Sequence, residues 1–267
     1  MSVVSINSYF TKTTSTIGFF GNNKESKEYG SAGSGVIIGG NKEQGEAYII
    51  TNYHVVYDAD ADVKISNKIY VYLYGQELDK YKISATYIGG SMSYDIAVLK
   101  IQSDVYKESN AHAATIGKSG DMTVGDSVIA IGNPNAGGIA VTQGILSMES
   151  EYITMTAADN VSTVQIRVMR VDAAINGGNS GGGLFNDSGE LIGIVNAKVV
   201  SEKIEGMAYA IPVDFAYPAA QNILKNCDGN TNTQILRSFM GISVHVTDSA
   251  TEIADDGTVR IVNLSLI

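Results

Sequence analysis

The sequence predicts an all-β protein, and three observations support this. The apolar segments are short, they are bounded by Gly, Asn, Asp or Ser, and several of them alternate apolar and polar residues. In "KIYVYLYG", for example, Ile69, Val71 and Leu73 alternate with three tyrosines, and "VQIRVMRV" repeats the pattern. A period of two is typical of strands rather than helices. Many such strands separated by turn residues indicate a sandwich or a barrel.

Further segments continue this pattern along the chain. The other predicted strands are "GVIIGG", "YIITNYHVV", "DIAVLKI", "DSVIAIGNP" and "LIGIVNA". The best helix candidate covers residues 213–226, where Asp214 is a plausible N-cap and a basic residue lies in the last turn. The polar run "CDGNTNTQ" after it is typical of a linker.

Composition excludes several classes of partner. The chain has 267 residues, of which 44% are apolar, enough to bury a substantial core. With 18 basic and 28 acidic side chains the net charge is -10, so nucleic acid and anionic membrane surfaces are poor partners. The single cysteine, Cys227, excludes an intrachain disulfide and a thiolate metal site. No apolar run is long enough to span a bilayer, and the opening lacks a secretion signal pattern.

The stretch "AINGGNSGGGLF", residues 174–185, surrounds Ser180 with glycines. Glycine is favoured where the backbone needs positive φ or approaches another group closely. Ser180 therefore lies either in a tight turn or beside a ligand. Because ordinary turns have the same composition, this stretch alone does not separate the two interpretations.

The three histidines differ in context. His112 lies in a polar segment and His245 in a strand-like tail segment, and both are interpreted as surface or structural residues. His54 ends a predicted strand, at the rim of a sheet. A lone histidine there is more often structural than catalytic, so an acid and a nucleophile are needed to change that interpretation.

Asp95 and Ser180 supply those two groups. Asp95 opens the apolar run "DIAVLKI", so its carboxylate is expected at the edge of a core, where it needs a partner. The N–H of His54 would satisfy it and would fix the imidazole tautomer, leaving the ring to activate the Ser180 hydroxyl. The predicted oxyanion hole is the turn Gly178, Asn179 and Ser180, with the backbone N–H groups of Gly178 and Ser180 as donors.

The order His54, Asp95, Ser180 is that of the chymotrypsin arrangement. Several blocks then follow one another between residues 31 and 214: "SAGSGVIIGG", "TNYHVV", "YDIAVLKI", "AIGNP", "VTQGILS", "DAAINGGNSGGGLFNDSGELIGI" and "YAIPVD". Through these blocks the chain resembles the HtrA family of trypsin-like serine proteases. The resemblance implies two six-stranded antiparallel β-barrels with the catalytic triad in the cleft between them.

The resemblance also implies a domain organisation. A protease domain is expected over residues 1–226, with an N-terminal barrel at about 1–108, a C-terminal barrel at about 119–214 and the helix at 213–226. A linker at 227–238 and an incomplete PDZ start or tail at 239–267 would follow, because "FMGISVHV" resembles the first PDZ strand. An incomplete domain buries too little surface to be stable alone, so poor order is expected after about Asn226.

By the same resemblance, the pocket for the residue before the cut has its base at Ala174 and Ile175. Its wall runs along residues 195–198 and includes Asn196, Ala197 and Lys198. The pocket contains no acid to hold Lys or Arg, so a small aliphatic residue is expected, although Lys198 could also attract an acidic one.

The chain departs from the family's usual pattern, which has proline where this chain has Gly177 and Gly183, and commonly threonine at Val171. Gly177 and Gly178 in succession leave two interpretations open. The loop is either a switch that orders on activation or a simple turn with positive φ.

The expected function is endopeptidase cleavage of unfolded or damaged polypeptides in the cell envelope, through an acyl-enzyme and with no metal or organic cofactor. The alternatives are a secreted glutamyl-type endopeptidase of the same fold and a non-catalytic, chaperone-like peptide-binding module. The family resemblance implies a homotrimer, and attachment to a membrane only through a segment absent from this chain.

Overall fold

The computed structural model describes residues 1–18, 21–76, 78–199, 207–227, 233–235, 250–253 and 259–262. The chain divides into two units, Met1–Ile235 and Leu236–Ile267. Both barrels and all three described α-helices belong to the first unit.

The first barrel consists of β1 (Val3–Gly18), β2 (Gly21–Gly39), β3 (Glu46–Thr51), β4 (Lys68–Leu73), β5 (Ile83–Ser91) and β6 (Ile96–Gln102). The strands are antiparallel neighbours in the order β1-β2-β3-β6-β5-β4, and β4 pairs with β1 to close the barrel. Alternate residues point inward, so Ile6, Ile49 and Leu99 are almost completely buried in its core.

The second barrel consists of β7 (Ser127–Gly132), β8 (Ala140–Thr156), β9 (Thr163–Val171), β10 (Gly183–Phe185), β11 (Leu191–Asn196) and β12 (Ala208–Pro212). Its antiparallel order is β7-β8-β9-β12-β11-β10, closed by the pairing of β10 with β7. Leu146, Met169 and Leu184 are buried in this core.

Three helices accompany the barrels: α1 (Tyr53–Val56), α2 (Asp104–Glu108) and α3 (Val213–Lys225). The buried face of α3 carries Ala216, Ala220 and Ile223, at the spacing of one helix face. These side chains belong to one apolar cluster with Val98 of the first barrel and Ile194 of the second. The helix therefore packs on both barrels at once.

In the second unit, the described residues form an antiparallel pair, β13 (Ala250–Ile253) and β14 (Val259–Val262). Most of the predicted linker and PDZ-like segment, 227–267, and His245 lie outside the described residues. The predicted domain boundaries stay predictions, and the strands of the two barrels fall within 1–108 and 119–214. Among the helices of the described part, none is long and apolar enough to cross a membrane.

The all-β prediction is confirmed, and each quoted apolar segment contributes to a strand. The polar ends of β1 and β2, residues 11–18 paired with 21–28, were not predicted because they lack an alternating apolar pattern. Asp214 was wrongly predicted as an N-cap: residue 212 precedes the helix, and the Asp214 carboxylate instead accepts the Gly120 N–H at 2.8 Å. His54 lies on the single-turn helix α1 rather than on the strand itself.

We expect Ile223→Ala to reduce the free energy of unfolding by about 2–5 kcal/mol, because it leaves a cavity where α3 packs on the barrels. Chemical denaturation monitored by circular dichroism measures this. Gln221→Ala, on the exposed side of the same helix, is the matched control and should change stability little. Equal effects of the two substitutions would contradict the packing assigned to α3.

Candidate active site

His54 is positioned by the helix that follows β3. Val55 and Val56 are buried in the first barrel's core and anchor α1, while the His54 side chain is 17% exposed. The residue therefore presents its ring at the edge of the barrel with its backbone held firmly.

Asp95 lies in the turn between β5 and β6, and its carboxylate holds the His54 ring. Oδ2 lies 2.7 Å from His54 Nδ1, and Oδ1 accepts the His54 backbone N–H at 3.0 Å. Because a carboxylate only accepts, Nδ1 carries the proton and Nε2 is left with a free lone pair. This is the tautomer that a general base requires.

Two buried asparagines complete the surroundings of Asp95. Asn52 donates from Nδ2 to the Asp95 carbonyl oxygen at 2.9 Å, and Asn196 donates from Nδ2 to Oδ2 at 2.9 Å. Asp95 has a φ of 50°, a value that residues other than glycine rarely adopt. The hydrogen bond from Asn52 to the Asp95 carbonyl stabilises this unfavourable backbone conformation. The buried carboxylate thus has donors from both barrels.

Ser180 is 6% exposed, and its backbone is fixed on both sides. Its carbonyl accepts the Ser34 N–H at 2.8 Å, and the next N–H, that of Gly181, bonds to Val195 O at 2.9 Å. Gly181 has φ 84°, and a Cβ there would collide with Ser34 O and Thr51 Oγ1. The glycine after the serine therefore permits close contact with the first barrel.

The Ser180 hydroxyl accepts the Ala197 N–H at 3.2 Å. In the described part of the chain no hydrogen bond joins it to the His54 ring. Catalytic hydrogen bonds often tighten only when substrate is bound, so this arrangement is compatible with a base and nucleophile at rest.

The turn before Ser180 is closed by the Asn179 N–H, which bonds to Asn176 O at 3.1 Å. Gly178, the third residue of the turn, has φ 92°, as a type II turn requires. Its carbonyl accepts the Ser34 hydroxyl at 2.8 Å. Among described residues, the N–H groups of Gly178 and Ser180 have no acceptor.

The hydrogen bonds of this turn bear on the predicted oxyanion hole, which stays a prediction. The Asn179 N–H is used to close the turn, so Gly178 and Ser180 remain as the candidate donors. The turn geometry also accounts for Gly178, which needs a positive φ, whereas neither φ nor close packing requires glycine at position 177. Whether the loop also acts as a switch remains a prediction.

The residues predicted to form the pocket have divided roles. Ala174 is exposed, Ile175 is buried in the second barrel's core and Ala197 is half-buried. The Asn196 side chain is buried and bonds to Asp95 and the Lys198 N–H, because a buried amide needs polar partners. The assignment of residues 195–198 to the pocket wall stays a prediction. Sequence periodicity does not distinguish an Asn196 side chain that points into the pocket from one that points towards Asp95.

Lys198 bonds through Nζ to Ala157 O at 2.8 Å. Partial burial lowers the pKa of its ammonium group, and the nearby carboxylates of Asp95 and Asp159 act in the opposite direction. Its charge is therefore already partly compensated within the chain.

We expect Asn196→Asp to destabilise the protein more at neutral than at acidic pH. Two carboxylates in one buried site raise the pKa of one of them in the folded state, so stability is lost as pH rises through that pKa. Asn196→Ala, the control, should cost about 1–3 kcal/mol with little pH dependence. Urea unfolding across pH measures both, and parallel pH profiles would contradict the contact.

Comparison with known proteins identifies the family of this chain. Residues 33–194 match the model of the trypsin-like peptidase domain. The serine protease Do-like HtrA of Lactococcus lactis subsp. cremoris is 36% identical over 257 residues, covering 90% of this chain and 57% of that protein. The corresponding protein of Bacillus subtilis is 36% identical, covering 88% of this chain and 47% of its own length.

Among solved structures, a serine-to-alanine variant of the HtrA-type protease AlgW with a decapeptide is 32% identical, with a TM-score of 0.65, covering 93% of this chain and 69% of that one. The chain spans about half the length of the curated relatives named above. The peptidase-domain match, the HtrA relatives and the two barrels agree, and the chain belongs to the HtrA family of trypsin-like serine proteases.

Proposed function

We propose that this chain is a serine endopeptidase that cleaves unfolded or damaged polypeptides. The observation that carries the proposal is the 2.7 Å contact between His54 Nδ1 and the buried Asp95 carboxylate. It is supported by the Gly178 and Ser180 N–H groups, which have no acceptor among the described residues. Family membership supports the same assignment.

The first step is acylation of Ser180. His54 Nε2 takes the hydroxyl proton as Oγ attacks the substrate carbonyl carbon, and Asp95 stabilises the imidazolium without taking the proton itself. The carbonyl oxygen becomes an oxyanion, which accepts hydrogen bonds from the Gly178 and Ser180 N–H groups. Each such preorganised donor is worth about 3–4 kcal/mol in the transition state.

Collapse of this intermediate breaks the peptide bond. The imidazolium gives its proton to the leaving amine, and the substrate's acyl part stays on Ser180 as an ester. Water then enters, His54 removes its proton, and the same two donors stabilise the second oxyanion. The free acid departs and the serine is restored.

The substrate is proposed to be an extended polypeptide. The solved relative AlgW carries a decapeptide, which is consistent with a cleft that binds extended chains. A location in the cell envelope is supported by a 36% identical relative from Halomonas elongata, described as a probable periplasmic endoprotease. The homotrimer implied by the family stays a prediction.

Ser180→Ala should abolish casein hydrolysis while leaving the fold intact, because it removes the nucleophile and introduces no bulk. Loss of a triad member costs on the order of a thousandfold or more in rate. Casein digestion and labelling by a fluorophosphonate probe are compared for the two proteins. If the probe labels neither protein, the non-catalytic peptide-binding alternative is favoured. If the alanine variant digests casein as fast as the parent, Ser180 is not the nucleophile.

We expect the cleavage profile to be dominated by small aliphatic residues before the cut. Lys198 is the observation that keeps the glutamyl-type alternative open, but its ammonium is already bonded to Ala157 O and lies near two carboxylates. Mass spectrometry of casein digests measures the profile, with Lys198→Met as the matched variant. A preference for acidic residues before the cut that disappears in Lys198→Met would favour the glutamyl-type alternative. A preference for Lys or Arg would contradict both the aliphatic and the glutamyl-type specificity.

A further inference from the structure

The turn before Ser180 contains the only Asn–Gly pair in the sequence, Asn176–Gly177. Asparagine is chemically labile, because the backbone nitrogen of the next residue can attack its side-chain amide carbon. A following glycine favours this attack, since it has no side chain to obstruct it and leaves the backbone mobile. A proline at position 177 would have no N–H and would prevent it.

The structure leaves this pair open to reaction. Asn176 and Gly177 are both exposed, and no atom lies within 4 Å of the position that a Gly177 Cβ would occupy. Among described residues the Gly177 N–H has no acceptor. By contrast, the neighbouring pair Asn179–Ser180 is buried, with 6% exposure at each residue. Reaction is therefore directed to Asn176 rather than Asn179.

We propose that Asn176 is a site of spontaneous deamidation, and that this modification limits the lifetime of the active site. The Gly177 nitrogen loses its proton and bonds to Cγ of Asn176, and the Cγ–NH2 bond breaks, releasing ammonia and leaving a cyclic imide. Water then adds to either imide carbonyl. The products are aspartate and isoaspartate, and no oxidant or reductant is needed.

Isoaspartate alters the oxyanion turn directly. It adds one carbon to the main chain between Asn176 and Gly177, and the carbonyl that accepted the Asn179 N–H becomes part of a free carboxylate. The turn that sets the φ of Gly178 is then lengthened, which displaces the Gly178 N–H. The new negative charge also opposes an oxyanion nearby. This consequence for activity rests on the proposed function, whereas the covalent change does not.

The test follows both changes in the folded 267-residue chain incubated at mildly alkaline pH. Peptide mapping by mass spectrometry measures conversion at residue 176, and methylation by an isoaspartyl-directed methyltransferase identifies isoaspartate. Fluorophosphonate labelling measures the reactivity of Ser180 in the same samples. We expect the labelling rate to fall in proportion to the isoaspartate fraction, and conversion to be faster at higher pH because the Gly177 N–H must lose its proton.

Gly177→Pro is the matched control, since it removes the attacking N–H and should abolish conversion at residue 176. Each protein is compared with its own labelling rate at the start. The urea-unfolded chain is the chemical control and should convert readily. Persistence of intact Asn176 in the folded protein while the unfolded chain converts would overturn the proposal, as would conversion without loss of labelling. A chain whose Ser180 is unlabelled from the start would instead reject the proposed function.

Discussion

The whole site depends on one constraint, the need to satisfy a buried carboxylate. An ionised Asp95 at 3% exposure is tolerated only if donors replace the water it has lost, since an unpaired buried charge costs several kcal/mol. His54 supplies two of these donors and Asn196 supplies a third. Satisfying the carboxylate therefore also fixes the imidazole tautomer and the position of β11 beside the β5–β6 turn.

A second set of contacts, made by Ser34, connects the first barrel to Ser180 and to the turn before it. The Ser34 hydroxyl donates to Gly178 O and accepts the Asn133 N–H, both at 2.8 Å, while the Ser34 N–H binds Ser180 O. One residue of the first barrel thus bonds to the turn before Ser180, to Ser180 itself and to the start of the β7–β8 connection. The glycine-rich sequence is what allows the backbones to come this close.

Much of this was predictable from sequence because it depends on local pattern. Period-two segments predicted the strands, and the order of the His54, Asp95 and Ser180 blocks indicated the triad that is proposed here. The directions of individual side chains were not predictable. Asn196 turns to Asp95 because of a partner distant in sequence, and the Asn179 N–H is unavailable because it closes a turn. The partner of the Asn196 side chain is set by a tertiary contact that no local pattern encodes, whereas the Asn179 N–H bonds to Asn176 O within the same turn.

The packing of α3 across both barrels has a consequence for thermal behaviour. Ile223 and its neighbours join the barrels through an apolar cluster, while the polar contacts at Asp95 and Ser34 require those barrels to stay in register. A small separation of the barrels breaks these polar contacts while each barrel keeps its own core and its strand pairing. On heating, such a separation would therefore disable the site without loss of secondary structure.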